Sequence, residues 1–289
     1  CSSLTSGINN TGVGSASLLL LTTGSNNTAL GRQTLDSTTT GSYNVAIGSA
    51  ALAANTTANN NTAVGYTALL SNTTGTQNTA VGSLAMDANT TGSNNSALGL
   101  SALGSNTTGG SNTATGHNSL ANNTGGTNNS AFGKDALLLN TTGNNNTAVG
   151  VSALDANTTG ISNVAVGLNA LTANTTASDN VAVGVNALVA NTTGTSNTAV
   201  GKNSLFNNTT ASNNTAMGDD ALLSNTTGAS NVAIGAFALD ANTTASNNTS
   251  VGYQSLNANT TGTFNVAVGS GALTNTTTSN GNTAIGYQT

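Results

Sequence analysis

Side chains that could carry out catalysis are rare in this sequence. Its 289 residues include one His, His117, and eight acidic residues, all of them Asp. His117 has no Cys, Asp or Ser at the spacing of a catalytic motif, so we expect a surface His rather than a general base. Asp219 and Asp220 are adjacent, and neighbouring residues of a strand face opposite sides. The Asp residues are also too few for a calcium-binding repeat. The sequence therefore predicts no enzyme, no cofactor and no metal site.

The polar groups that do recur belong to Asn and Thr. Twelve Asn residues begin an intact Asn-x-Thr sequence, the acceptor of N-linked sugar, at equivalent places in the chain. We favour an internal ladder of stacked Asn amides, in which the acceptors would be inaccessible. The alternative is an exposed edge with sugar on these Asn residues or on the following Thr residues. Acceptors about 5 Å apart would crowd, which favours partial occupancy or O-linked sugar. The twelve candidates are Asn55, Asn72, Asn89, Asn106, Asn140, Asn157, Asn174, Asn191, Asn208, Asn225, Asn242 and Asn259.

The one Cys of the sequence is Cys1, so no disulfide framework is predicted. A chain that begins Cys-Ser-Ser resembles a bacterial lipoprotein after cleavage, which would place a lipid on Cys1. The alternative is that Cys1 simply fills its place in the repeat described below. No apolar run approaches the roughly 18 residues of a transmembrane helix, so we expect no membrane span. Residues 1–9 already follow the repeat, so no signal peptide is predicted.

A strict tandem repeat organises the whole chain. Asn followed four residues later by Gly recurs from Asn10 and Gly14 to Asn282 and Gly286, once in every seventeen positions and without an insertion. With this Asn as position 1, the consensus is Asn-Thr/Val-Ala-Val-Gly-x-x-Ala-Leu-x-x-Asn-Thr-Thr-Gly-x-x. The twelve Asn candidates occupy position 12. Such a strict period indicates that every repeat occupies an equivalent place in the fold.

The repeat predicts an all-β fold. It is too short for a helical hairpin, lacks apolar residues at helical spacing and is rich in Gly and Asn. We therefore predict a parallel β-solenoid, or β-roll, of seventeen coils in which each coil is one seventeen-residue repeat. Residues 1–289 would form a single repeat domain without separate caps. Coils would stack at about 4.8 Å through parallel hydrogen bonds. We expect positions 2 and 4 of a short strand, and the Ala-Leu pair at positions 8 and 9, to point inward, with a corner at the Gly of position 5.

Composition limits the function. Charged residues make up 4% of the chain, and the basic ones are Arg32, Lys134 and Lys202. This excludes the basic surface of a nucleic-acid-binding protein and the Lys/Arg face of a membrane-surface helix. Stacked coils would place like charges about 5 Å apart, where they repel by about 1–3 kcal/mol. The few charges fall at positions 6, 7, 10 and 17, which we interpret as outward-facing corners.

Several short motifs carry a family resemblance. They are Asn-Val-Ala-Ile-Gly at residues 231–235, Asn-Val-Ala-Val-Gly from Asn163, Asn180 and Asn265, and Gly-Tyr-Gln from Gly252 and Gly286. They resemble the β-roll head repeats of trimeric autotransporter adhesins and the related repeats of phage and bacterial fibre proteins. The resemblance covers essentially the whole chain and implies a β-roll in a surface fibre. Those heads have shorter coils and continue into a neck and stalk, so their trimeric state is not carried over to this chain.

These features predict a structural subunit of an extracellular filament or cell-surface fibre. Thr289 falls at position 8 and Cys1 at position 9, so we expect uncapped coils to stack head-to-tail into a homopolymer, with lateral association as a further option. The alternative is that the chain is a window of a longer array. An adhesin or phage-type fibre shaft is the second function. An ice-binding solenoid is a minor alternative, suggested by the regular Thr columns. It ranks low because the Thr residues at positions 13 and 14 are neighbours and should face opposite sides.

Overall fold

The computed structural model describes residues 3–289, which are all-β and contain no helix. The chain divides into two compact units, Cys1–Asn145 and Asn146–Thr289, of which the first is described from Ser3 onward. Each unit is a parallel β-solenoid in which one coil corresponds to one repeat of the sequence, as predicted, so that paired strand residues and stacked Asn side chains of successive coils are seventeen positions apart.

Each described coil contributes one strand of three residues, formed by positions 2 to 4. In the first unit the strands are β1 (Thr11–Val13), β2 (Thr28–Leu30), β3 (Val45–Ile47), β4 (Thr62–Val64), β5 (Thr79–Val81), β6 (Ser96–Leu98), β7 (Thr113–Thr115) and β8 (Ser130–Phe132). In the second unit they are β9 (Thr147–Val149), β10 (Val164–Val166), β11 (Val181–Val183), β12 (Thr198–Val200), β13 (Thr215–Met217), β14 (Val232–Ile234), β15 (Thr249–Val251), β16 (Val266–Val268) and β17 (Thr283–Ile285).

Consecutive coils pair in register, so that equivalent residues lie beside each other. In the second unit, Ala182 of β11 pairs with Ala199 of β12. Hydrogen bonds between coils also form outside the strands, from the Leu188 amide to the Ser204 carbonyl at 3.0 Å and from the Thr192 amide to the Thr209 carbonyl at 2.9 Å. Within each unit, each coil is therefore bonded to the next at several points around its circumference.

The corners of a coil depend on backbone conformations with positive φ. At position 5, Gly184 has φ 141°, and a Cβ there would lie 2.4 Å from the Gly201 carbonyl oxygen of the next coil. Only Gly fits this place, which explains why position 5 is invariant. Positions 7, 9 and 17 are also left-handed, as in Asn186 (φ 56°), Leu188 (φ 52°) and Ser196 (φ 57°). These residues turn the chain through a left-handed backbone that the sequence alone does not indicate.

The core is a narrow column of small and medium side chains. Ala182 at position 3, Ala187 at position 8 and Leu188 at position 9 are all fully buried. The predicted Leu column is confirmed, since Leu residues from Leu18 to Leu256, with Met86 among them, are fully buried. A left-handed Leu costs about 1–2 kcal/mol. Burial of its side chain contributes about 2–3 kcal/mol, which offsets that cost.

The predicted orientation of the strands is wrong. Position 3 points inward, and positions 2 and 4 point outward. Val149, expected in the core, is 37% exposed, and Met217 at the same position of a later coil is 42% exposed. Val183, also expected in the core, is only half-buried. The physical reason is the width of the coil. The Leu of position 9 and the Asn residues of positions 1 and 12 already fill the interior, which leaves room for Ala but not for a β-branched pair.

Candidate functional surface

The Asn residues at position 12 form an internal hydrogen-bonded ladder. Asn208 Nδ2 donates to Asn191 Oδ1 at 3.0 Å and to the Ala211 carbonyl of its own coil, also at 3.0 Å. Asn225 Nδ2 of the next coil donates to Asn208 Oδ1 at 2.9 Å. The Nδ2 and Oδ1 atoms of Asn208 are thus both hydrogen-bonded, and its side chain is fully buried. The same pattern recurs in each unit, where the Nδ2 of one Asn donates to the Oδ1 of the Asn in the preceding coil.

A second ladder runs beside the first through the Asn residues at position 1. The backbone amide of Asn197 donates to Asn180 Oδ1 at 3.0 Å, and Asn197 Nδ2 donates to the Ala211 carbonyl at 2.8 Å. The Ala211 carbonyl therefore accepts from both Asn197 and Asn208. Replacement of Asn208 would leave Asn191 Oδ1 without a donor, and replacement of Asn197 would remove the acceptor of the Asn214 backbone amide, so neither Asn can be replaced without leaving a polar group short of a partner.

All twelve candidate glycosylation sites lie in this buried ladder. Each has no solvent exposure of its side chain in the folded chain: Asn55, Asn72, Asn89, Asn106, Asn140, Asn157, Asn174, Asn191, Asn208, Asn225, Asn242 and Asn259. Asn123 belongs to the same ladder, although Gly125 removes the acceptor sequence there. Burial argues against addition of sugar to these Asn residues after folding. Attachment of sugar to the chain stays a prediction.

The Thr residues that follow the ladder have two different environments. At position 13 the Thr192 hydroxyl donates to the Thr209 carbonyl of the next coil at 3.0 Å. At position 14 the side chain of Thr193 is exposed. The placement of these neighbours on opposite faces stays a prediction. An added sugar on the exposed Thr residues at position 14 would meet solvent.

The outward face of the strands is made of Thr and apolar side chains. Position 2 holds Thr, Val or Ser, and position 4 holds mainly Val, Ile or Leu. Position 6, just past the corner Gly, adds further exposed apolar groups such as Leu168 (47% exposed) and Val185 (42% exposed). This exposed apolar face is the feature that the sequence analysis missed, because it assigned the larger apolar residues to the core.

The ionisable residues differ in exposure, and the Asp residues at position 10 are half-buried. Arg32, His117, Lys134 and Lys202 are exposed, as predicted. Asp219 and Asp220 follow β13 in a turn, so the expectation that placed them on opposite faces of a strand is wrong.

Two kinds of environment change the pKa of Asp side chains. Partial burial raises the pKa of Asp240 above its ordinary value, and the nearby Asp220 adds to this effect. Burial also raises the pKa of Asp87. Burial opposes ionisation of Asp135 as well, but hydrogen bonds from Lys134 and Asn118 outweigh it and hold its pKa below the ordinary value. Lys134 Nζ lies 3.1 Å from Asp135 Oδ2. The altered groups are scattered along the sequence.

The described part of the chain, residues 3–289, contains no cluster of three or more His, Cys, Asp or Glu residues placed to hold a metal ion. Within the same residues no helix is long and apolar enough to cross a membrane. Cys1, the candidate lipidation site, lies outside the described residues.

Comparison of the sequence with protein-family models and with curated proteins found no match to either.

Proposed function

We propose that this protein is a structural subunit of an extracellular filament or surface fibre. The observation that carries the proposal is the repeated bonding of each coil to its neighbours. Leu188 packs in a continuous buried column, and Asn197 and Asn208 bond to the preceding coil within two amide ladders. A solenoid of this kind gains its stability from contacts between neighbouring coils, which is the property that a long, stiff fibre needs.

End-to-end assembly uses the same contacts. The upper side of one coil is complementary to the lower side of any other, because the same pairs of positions bond at each step. A coil exposed at the end of such an array offers unpaired backbone groups to the matching coil of another copy. Contacts of this heterologous type do not close, and they therefore extend into filaments. The resemblance to β-roll adhesin heads and fibre repeats supports the same class of function.

Sugar on the fibre is proposed for the exposed Thr residues at position 14, such as Thr193. O-linked carbohydrate there would leave both Asn ladders intact. Mass measurement of native material should then exceed 27.8 kDa by whole sugar units that are lost on chemical release of O-glycans. A native mass equal to that of the sequence would contradict the proposal of sugar, without affecting the proposal of a filament.

The filament proposal is tested by sedimentation and negative-stain electron microscopy of the purified full chain over a range of concentrations. We expect rods whose mean length increases with concentration. Leu188→Asp, which places a charge in the Leu column, should shorten or abolish them, whereas Val189→Asp at the neighbouring half-buried position should have a smaller effect. Discrete particles of constant size at every concentration would contradict the proposal.

A further inference from the structure

The outward face of strands β9–β17 differs from that of the first unit in its regularity. In the second unit position 2 is Thr or Val in every strand, and position 4 is Val or Ile in every strand except β13, which has Met217. In the first unit the same columns contain Leu30, Leu98 and Phe132, which are longer. We call the positions 2 and 4 of β9–β17 the regular face.

The regular face is a two-dimensional array with fixed spacings. In-register pairing sets equivalent side chains about 4.8 Å apart between coils, and positions 2 and 4 are about 6.6 Å apart along a strand. Thr, Val and Ile are stiff at χ1, so their methyl and hydroxyl groups are held in place before any ligand arrives. In β9–β12 the array consists of Thr and Val alone, which gives side chains of equal height.

The absence of charge on this face restricts what it can bind. All of the charged residues of the chain fall at positions 6, 7, 10 and 17, so none lies in the regular face. An ionic ligand, a nucleic acid or an acidic lipid surface would find no counter-charge there. An uncharged occupant that repeats at the spacings of the strands fits such a face.

The columns of positions 2 and 4 are by themselves smaller than a stable protein interface. Nine coils at about 4.8 Å and a strand width of about 10 Å give an area of about 400 Å². A stable protein interface needs about 800 Å² from each partner. The minimum area of a protein interface does not apply to a crystal, whose surface repeats as the array does.

We propose that the regular face binds ice. The array holds Thr and Val side chains at two fixed spacings, so the water beside one coil meets the same groups as the water beside the next. The methyl groups of Thr and Val restrict the orientation of the water beside them, and the Thr hydroxyls can hydrogen-bond to that layer. Water ordered in this way on the face merges with the crystal. The outward-facing columns lie at positions 2 and 4 of the strand, not at the Thr residues of positions 13 and 14.

The test compares two Val→Phe variants of the same coil in the full chain. Val183 is at the centre of the regular face, and Phe132 occupies the equivalent position in the first unit, so Val183→Phe is compatible with the fold. Val189 lies after the buried Leu188, away from the face, and Phe206 occupies its equivalent in the next coil. Circular dichroism is used to check that both variants fold like the wild type.

Thermal hysteresis and inhibition of ice recrystallisation are then measured. We expect both activities in the wild-type protein, retention of both in Val189→Phe and loss of most of both in Val183→Phe. A wild-type protein that leaves ice growth unchanged would overturn the proposal. So would an active Val183→Phe variant, or a Val183→Phe variant whose only change is a smaller particle size, which would identify the face as a contact between copies. None of these results depends on whether the chain forms long filaments.

Discussion

Replacement of Asn208 by Ala tests whether the internal amide ladder holds the coils together. The change removes three hydrogen bonds, two donated by Asn208 Nδ2 and one accepted by Asn208 Oδ1. It also leaves Asn191 Oδ1, which is fully buried, without its donor from Asn208. The Ala211 carbonyl keeps its bond from Asn197, and Asn225 keeps its bond to Gly228. The bonds to the Ala211 carbonyl and from Asn225 contribute about 1 kcal/mol each, and the loss of the third bond strands Asn191 Oδ1 at a cost of about 1–3 kcal/mol, so the expected loss of stability is about 3–5 kcal/mol.

The matched control is Asn207→Ala, one residue earlier, where the side chain is exposed. Its effect should stay within about 0.5 kcal/mol. Because unfolding of a repeat protein need not be two-state, the assay combines thermal unfolding with amide hydrogen exchange in the coils beside Asn208. Faster exchange should be confined to those coils. Equal stability and equal exchange in the Asn208→Ala and Asn207→Ala variants would refute the ladder as a stabilising feature.

Three further substitutions test the corners, the core and the charges. Gly201→Ala should destabilise the coil by several kcal/mol in chemical denaturation, because φ is 132° and the new Cβ would lie 2.4 Å from the Gly218 carbonyl oxygen; Gly104→Ala, with its nearest atom at 3.3 Å, should be tolerated. Leu188→Ala should lower stability by about 2–5 kcal/mol, and an effect below that of an exposed site would contradict its burial. The raised pKa of Asp240 means that the folded state holds its proton more tightly, so its contribution favours folding at low pH and is lost as pH rises through the folded pKa. Asp240→Asn should therefore stabilise the protein at neutral pH and flatten the acid part of its stability profile, and an unchanged profile would contradict the assignment.

The period of the sequence was sufficient to predict the solenoid, the Leu column and the parallel pairing. A spacing that never varies along the chain leaves few other folds, and a Leu that recurs at one position of a coil must share one place in the core. The Asn ladder could be predicted for the same reason, since stacked identical amides satisfy each other.

The orientation of the strands could not be predicted from hydrophobicity. Alternation shows that positions 2 and 4 face one side and position 3 the other, but the larger apolar residues at position 4 suggested the wrong side. Residue size carries the correct signal. Position 3 is never larger than Ala or Ser, as in Gly12 and Ser250, whereas position 4 varies from Thr115 to Phe132. A narrow interior restricts size, and an open surface does not.

The backbone of the corners was also beyond the reach of the sequence. A buried Leu in the left-handed region, such as Leu188, contradicts the ordinary preferences of Leu. Tertiary packing decides it, because turning the chain at this residue is what brings Ala187 and Leu188 to the interior together. The exposed apolar face, which includes the surface proposed to bind ice, was not predicted, because the strands were expected to face the opposite way.

The central claim is that identical coils, bonded edge to edge, build a fibre. X-ray diffraction from an aligned sample of the assembled protein tests it most directly. The account predicts a meridional reflection at about 4.8 Å, because the strands lie across the fibre and repeat along its axis. A sample that yields aligned fibres without this reflection, or with the reflection on the equator, would contradict the arrangement of the coils along the fibre.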